Sequence, residues 1–408
     1  MEILDVSDTA SHDDEPFPIP ASGCTISALG SNLVVVGGWN PHHEDMLIGS
    51  HDRGYVRKVY KYNLYTGLWT EHLCYSDQQN CPIETACHCA FPFTSTKLLV
   101  LGGSLSSFGI DDSSNRVYFY SIDTESWREI NCTGRIEHAP STHIGHWWGR
   151  AGFFDGDTLT VCTGNYQTGQ LEINQLHMGK QPFRWEKVTP MEGAQFAFPL
   201  IKHQIVVYDS KVFVFGGSMA FFSPAILDGF RATLASIPTF DLISKRWSYT
   251  QCAIEGDKAD IWPFAPSVVL IGHCAFLTGG AIFRDDHTVD LLADVMRLDL
   301  KEKRWTTFSR LKGNGRFFHA SCLGDDGRLY VYGGCLGTQY ESCTRSNEVE
   351  FVQCSVATLY HSALRALFSK HFGAQIAKRF SRSKNEQNAI IAQMKMDGFP
   401  DFAIKELL

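Results

Sequence analysis

Four places in this 408-residue sequence could do chemistry by residue type and spacing. Cys87-His88-Cys89 gathers two thiols and an imidazole. On a strand Cys87 and Cys89 share a face and His88 points away, so core packing explains the triplet better than metal ligation. His42-His43-Glu44-Asp45 and Asp285-Asp286-His287 join imidazole to carboxylate, but both lie in polar stretches that read as solvated loops. The fourth is a set of cations beside aromatics: His146, Trp147, Trp148 and Arg150; Lys202 and His203; Arg316, Phe317, Phe318 and His319. A guanidinium or ammonium pairs with a carboxylate while rings cover the chain beside it, which suits capture of a peptide terminus. Arg316 and Arg150, then Lys202, are the carboxylate candidates. The competing reading is that these cations brace neighbouring structure. No phosphate-binding glycine loop, nucleophile elbow or catalytic-cysteine signature occurs. The expectation is binding, with no catalytic residue, no metal and no cofactor.

The elements that must position these residues are set by an internal repeat. NLVVVGG, KLLVLGG, KVFVFGG, CAFLTGG and RLYVYGG end in Gly37-Gly38, Gly102-Gly103, Gly216-Gly217, Gly279-Gly280 and Gly333-Gly334. DTLTVCTGN supplies a degraded copy at Thr163-Gly164. Successive second glycines lie 65, 61, 53, 63 and 54 residues apart. Each run lacks polar alternation, so it reads as a strand buried on both faces. The paired glycines allow positive φ and close backbone approach where the chain leaves that strand. Five copies continue to a tryptophan: Trp69, Trp127, Trp185, Trp247 and Trp305. Seven residues earlier stand Tyr62, Tyr120, Phe240 and Leu298 in four of them. A unit of this kind cannot bury its faces alone, so copies must stack around a ring, the tryptophan packing between neighbours. The sixth copy lacks its tryptophan, so a segment before Gly23, around Met1–Val6 or Phe17–Pro20, is expected to complete it.

This pattern resembles the kelch repeat over residues 22–354. The expected fold is all-β, a six-bladed kelch propeller with a short C-terminal α-helical tail. Residues 1–21 form an N-terminal segment, 22–354 the propeller and 355–408 the tail. A propeller binds ligands in loops around its channel. That points to the loops before each first strand, named above, and to those after the glycine pairs, with Trp39 and Ser218.

From Ser355 the pattern changes to helix. Residues 355–408 carry five Lys and three Arg against two Asp and two Glu, a net +4 in a chain of net charge −8. The run from Thr358 to Leu367 resembles an elongin C-binding box. Its spacing puts Leu359, Ala363 and Leu367 on one helical face, with Thr358 at the start. Leu359 would fill an apolar pocket and Ala363 would admit a close helix.

Repeat and tail together resemble the kelch-propeller substrate receptors of cullin-2 ubiquitin ligases, through LVVVGGWNP, LLVLGGSLSSFG, FFHASCLGDDGRLYVYGG and SVATLYHSALRALF. The resemblance implies a tail bound to elongin B, elongin C and cullin-2, and a propeller holding the C-terminus of a substrate protein. Ubiquitin transfer would then belong to partner subunits. It also implies an apolar-Pro pair for the cullin, and Phe399-Pro400 matches at an unusual distance. Family members that take a di-glycine end place arginine after a glycine pair. Here those places hold Trp39, Ser104, Asn165, Ser218, Ala281 and Cys335. A scaffold or cytoskeletal kelch protein without a ligase link, and a metal-dependent kelch enzyme, stay open as alternatives.

The composition fits this reading. The acidic balance argues against nucleic acid and anionic membranes as main partners, because both select a basic surface. The acidic opening MEILDVSDTASHDDE and the lack of an 18-residue apolar run give no expectation of a leader or a membrane span. Thirteen cysteines without regular spacing fit reduced thiols, hence cytoplasm or nucleus.

Overall fold

The computed structural model describes residues 18–42, 54–73, 81–82, 86–103, 116–134, 150–165, 169–193, 200–218, 232–283, 289–337 and 343–356, with a few helical positions after residue 361. It is a β-propeller of six antiparallel sheets. Blade I runs from Thr25–Leu29 to Trp69–Leu73, blade II from Cys89–Thr94 to Ser126–Ile130, and blade III from Arg150–Asp155 to Arg184–Val188. Blade IV runs from Gln204–Tyr208 to Arg246–Gln251, blade V from Ser267–Ile271 to Arg304–Arg310, and blade VI from Ala320–Leu323 to Val349–Gln353. Blades I to V have four strands; three are described for blade VI. Blade V adds a hairpin, Ala281–Phe283 with Val289–Leu291. The first strand of each blade touches those of both neighbours, which closes the ring.

The repeat explains this architecture residue by residue. The second strands Asn32–Val36 and Cys274–Thr278 are buried at every position, as a strand with blades on both faces must be. In four blades the residue seven before the tryptophan is its partner across the outer ladder: Tyr62 with Trp69, Tyr120 with Trp127, Phe240 with Trp247 and Leu298 with Trp305; in blade III Trp185 pairs instead with Leu176. The tryptophan also reaches the preceding blade. The Trp69 ring lies 5.9 Å from that of Tyr332 in blade VI, and Trp305 lies 6.1 Å from Phe215 in blade IV. Trp305 Nε1 further donates to the Leu234 carbonyl at 2.7 Å.

The glycine pairs prove to be inter-blade joints. Gly279 has φ +57°, and a Cβ there would stand 2.3 Å from the Arg316 carbonyl oxygen and 2.4 Å from His319 Cε1, both in blade VI. Gly333 meets Ala21 and Cys24 of blade I in the same way. In the degraded copy the strand does not turn away. Thr158–Asn165 and Gln170–His177 pair through eight residues each, as far as Asn165 opposite Gln170.

The entering chain clasps blade VI. Ala21 N donates to Ser346 O at 3.3 Å, Gly334 N to Ala21 O at 2.8 Å, and Asn347 Nδ2 to Pro18 O at 2.8 Å. Pro18–Pro20 is not a strand, so that part of the expected closure is replaced by these bonds at the glycine-pair rim. The Met1–Val6 alternative and Phe17 lie outside the described residues. No helix among the described residues is long and apolar enough to cross a membrane.

Candidate functional site

The channel encloses a cavity of about 410 Å³, lined by the first strands of all six blades. Its mouth on the glycine-pair side is built by one repeated device. The residue two before a first strand takes a left-handed conformation: Gly23 (φ +67°), Cys87 (+57°), Lys202 (+54°), Ala265 (+50°) and Phe318 (+54°). For the non-glycine residues this costs on the order of 1–3 kcal/mol each. A belt of inter-blade hydrogen bonds offsets that cost: Phe318 N to Ala265 O at 3.2 Å, Gly23 N to Phe318 O at 2.8 Å and Cys87 N to Gly23 O at 2.8 Å. The left-handed turn drives the next residue down between blades. His88, His203 and His319 occupy that place in blades II, IV and VI, all of them buried.

The candidates therefore separate by position. Lys202 and Phe318 come together at the mouth, with Lys202 Nζ 5.3 Å from the Phe318 ring centroid, a cation–π distance. His203 and His319 lie behind them. His319 Nε2 pairs with Thr278 Oγ1 of blade V at 2.9 Å. Burial holds both rings neutral: desolvation lowers His203 to about 4 and His319 to about 3, the latter aided by Arg316. His88 likewise meets Thr25 Oγ1 of blade I at 2.8 Å and is core, but Cys87 is left-handed and precedes the strand rather than sharing its face with Cys89, and both thiols are half-buried at the channel.

Arg316 does not offer its guanidinium to the channel. It is 1% exposed, ion-paired to the fully buried Glu350 and bonded to the Gly333 carbonyl at 3.1 Å. Desolvation lowers it to about 10, and Glu348 opposes that fall. Its geometry is that of a brace within blade VI, which is the competing reading for this cation. Arg150 heads the first strand of blade III opposite Thr163, one place before the register of Thr25 and Gln204, which Ala151 holds; its side chain, with His146, Trp147 and Trp148, lies outside the described residues. Trp39 is half-buried, exchanges backbone hydrogen bonds with Ser22 at 3.0 and 2.8 Å, and carries the Arg345 guanidinium 4.9 Å above its ring. Ser218 serves through its backbone, paired with Ile201 at 2.9 Å. In the tail, Ala363 is helical and exposed, while Thr358, Leu359, Leu367, Phe399 and Pro400 lie outside the described residues.

The fold adds Phe264, Phe283 and Arg345, which sequence reading missed. Phe264 packs edge-on against Phe318 at 5.4 Å, Phe317 lies 5.2 Å from Phe318, and Phe283 lies 5.6 Å from Phe264. Phe283 is 58% exposed, so this aromatic shelf opens to solvent with an ammonium at one end. Arg345 stands opposite Cys335 as Tyr55 stands opposite Trp39. The signal for it was the run-in to each third strand, a place no motif marks. The arrangement can hold an apolar chain against rings and pair an anionic group with Lys202, whereas Arg345 is buried and bonded to the Cys343 carbonyl at 2.7 Å. A His72 bridge between Tyr120 and Glu125 looks like a proton relay, but the Tyr120 ring is 1% exposed and no substrate could reach it.

No family model matches the chain. Among curated proteins it is 24% identical over 336 residues to kelch domain-containing protein 10 of Xenopus tropicalis, covering 81% of this chain and 74% of the relative. It is 27% identical over 349 residues to the Drosophila melanogaster homologue of that protein, covering 78% of this chain and 52% of the relative. Among solved structures it superposes on that of YjhT with a TM-score of 0.54 at 14% identity, covering 83% of this chain and 96% of the other. The ring of six blades and the glycine joints make the chain a six-bladed propeller, similar in sequence to kelch domain-containing protein 10 over four-fifths of its length.

Proposed function

We propose that the chain is a non-catalytic substrate receptor of a cullin-2–elongin ubiquitin ligase. The propeller mouth holds a protein segment that ends in a carboxylate, and the tail binds elongin C through Thr358, Leu359, Ala363 and Leu367. Phe399-Pro400 is the assigned cullin contact. The observation that carries the propeller half is the shelf of Phe264, Phe283, Phe317 and Phe318 with Lys202 at its end. Rings cover an apolar chain at low entropic cost, and a fixed cation recognises an anionic terminus. Both work by contact and neither needs a reacting group.

The test is co-expression with elongins B and C, beside Leu359→Asp. A stoichiometric complex that is lost in the variant supports the tail assignment. For the propeller, peptides from such a complex should bind with a free C-terminus and weaken about tenfold or more on C-terminal amidation and in Lys202→Ala. Retained partners without any elongin contact would establish the scaffold reading instead.

A further inference from the structure

The rim opposite the glycine pairs carries a second chemistry, found among the described residues in blade V. In blades I, IV and V a side-chain acceptor holds the turn that follows the third strand. Asn63 Oδ1 serves in blade I, taking Tyr65 N and Thr66 N at 2.9 and 3.0 Å. Asp241 Oδ1 serves in blade IV, taking Ile243 N and Ser244 N at 3.0 and 2.7 Å. Asp299 Oδ1 does the same in blade V, taking Lys301 N and Glu302 N at 3.0 Å each. One oxygen suffices, so the second is spare. Asp299 Oδ2 lies 3.3 Å from His273 Nε2.

The residue paired with Asp299 across the ladder is Cys274. The same place holds Asn32 in blade I and Lys211 in blade IV, preceded by Ser31 and Ser210 where blade V has His273. The turn therefore requires neither the imidazole nor the thiol. One ligand atom from each of His273, Cys274 and Asp299 lies within 4.8 Å of the others. Arg297 reaches into the same space, with Nε 3.3 Å from Cys274 Sγ and its guanidinium 4.0 Å from Asp299 Oδ2. The position already selects a positive charge.

We propose that His273, Cys274 and Asp299 form a binding site for a borderline-soft divalent cation of the zinc class, with Arg297 as its displaceable occupant. Nitrogen, sulfur and oxygen donors at about 2.0–2.3 Å from Zn²⁺ stand about 3.5 Å apart, so the site closes by about 1 Å through side-chain rotation. The Arg297 side chain is 39% exposed and can withdraw to water. The Cys274 thiol releases its proton to solvent as the sulfur–metal bond forms, so one proton leaves per ion and nothing is oxidised. Three protein ligands leave a fourth position for water. The bound ion would join the turn at His273 to the end of the third strand and fasten blade V along the outer rim.

The experiment uses the full chain, reduced and freed of metal, titrated with Zn²⁺ against a chromophoric chelator and with Cd²⁺ for its thiolate charge-transfer band. The expected result is one equivalent that is at least about tenfold weaker in His273→Ala and in Cys274→Ser. The cadmium band is expected to be lost in the serine variant, and affinity to rise in Arg297→Met. Cys274 is buried, so the half-exposed His273 position carries the test if the serine variant fails to fold. Absence of an equivalent in the wild type, or an affinity unchanged in His273→Ala, would overturn the site and assign any bound ion to other thiols.

Discussion

His203 and His319 are placed by the backbone rather than by their own chemistry: a left-handed residue before each drives the ring between blades, where water is absent. Their folded-state values, about 4 and about 3, lie below the ordinary 6.5. The unfolded chain therefore binds protons first as pH falls, and stability drops with it. The contribution is complete above about pH 6.5 and is lost progressively as pH falls towards the folded values. The unfolding free energy from urea titrations should fall steeply between pH 6.5 and 5, by roughly 2 kcal/mol for each ring. His319→Gln should flatten that slope. Arg316 and Glu350 illustrate the complementary case. A buried ion pair contributes little net stability, yet loss of one partner leaves a stranded charge. That makes Arg316 a structural residue even though its sequence neighbourhood, Phe317-Phe318-His319, looks like a ligand site.

At the scale of elements the paired glycines matter most. Gly279→Ala would set a Cβ 2.3 Å from a backbone oxygen of the next blade at positive φ, whereas Gly313, also at positive φ (+66°), has nothing within 4 Å. Gly313→Ala should cost about 1 kcal/mol, the strain alone. Gly279→Ala should cost more than about 3 kcal/mol, because two blades must separate. Thermal unfolding of the two variants side by side checks this, and equal costs would mean that the joint yields. The contrast also shows what was legible. Gly-Gly at a fixed period announced a backbone constraint. That the obstacle is a neighbouring blade, and which of its atoms, depended on ring geometry.

At the scale of the whole molecule, closure rests on the segment Pro18–Gly23, bonded to blade VI through Ala21, Gly23 and Pro18. Removal of residues 1–23 should lower the melting temperature markedly and broaden the transition, since a ring opened at one joint loses contacts on both sides. A single unchanged transition would place closure elsewhere. The mouth and the outer rim of blade V lie on opposite sides of this ring. Cation occupancy at His273 should therefore alter stability without altering peptide capture at Lys202.

By itself the amino-acid order determined six blades and the recurrence, in four of them, of an aromatic or apolar residue seven before the tryptophan. These are properties of spacing along the chain, and spacing is covalent. It also placed Lys202 and Phe318 in the same set of rim loops, because both precede a first strand; their contact came from the fold. Only the tertiary structure decided which cations face the channel. Arg316 meets Glu350 34 positions away and is neutralised there, while Lys202 meets aromatics of other blades. The same holds for His273, Cys274 and Asp299: the first two are adjacent in the chain, but the carboxylate arrives by strand pairing, and no local pattern encodes which strands will lie side by side.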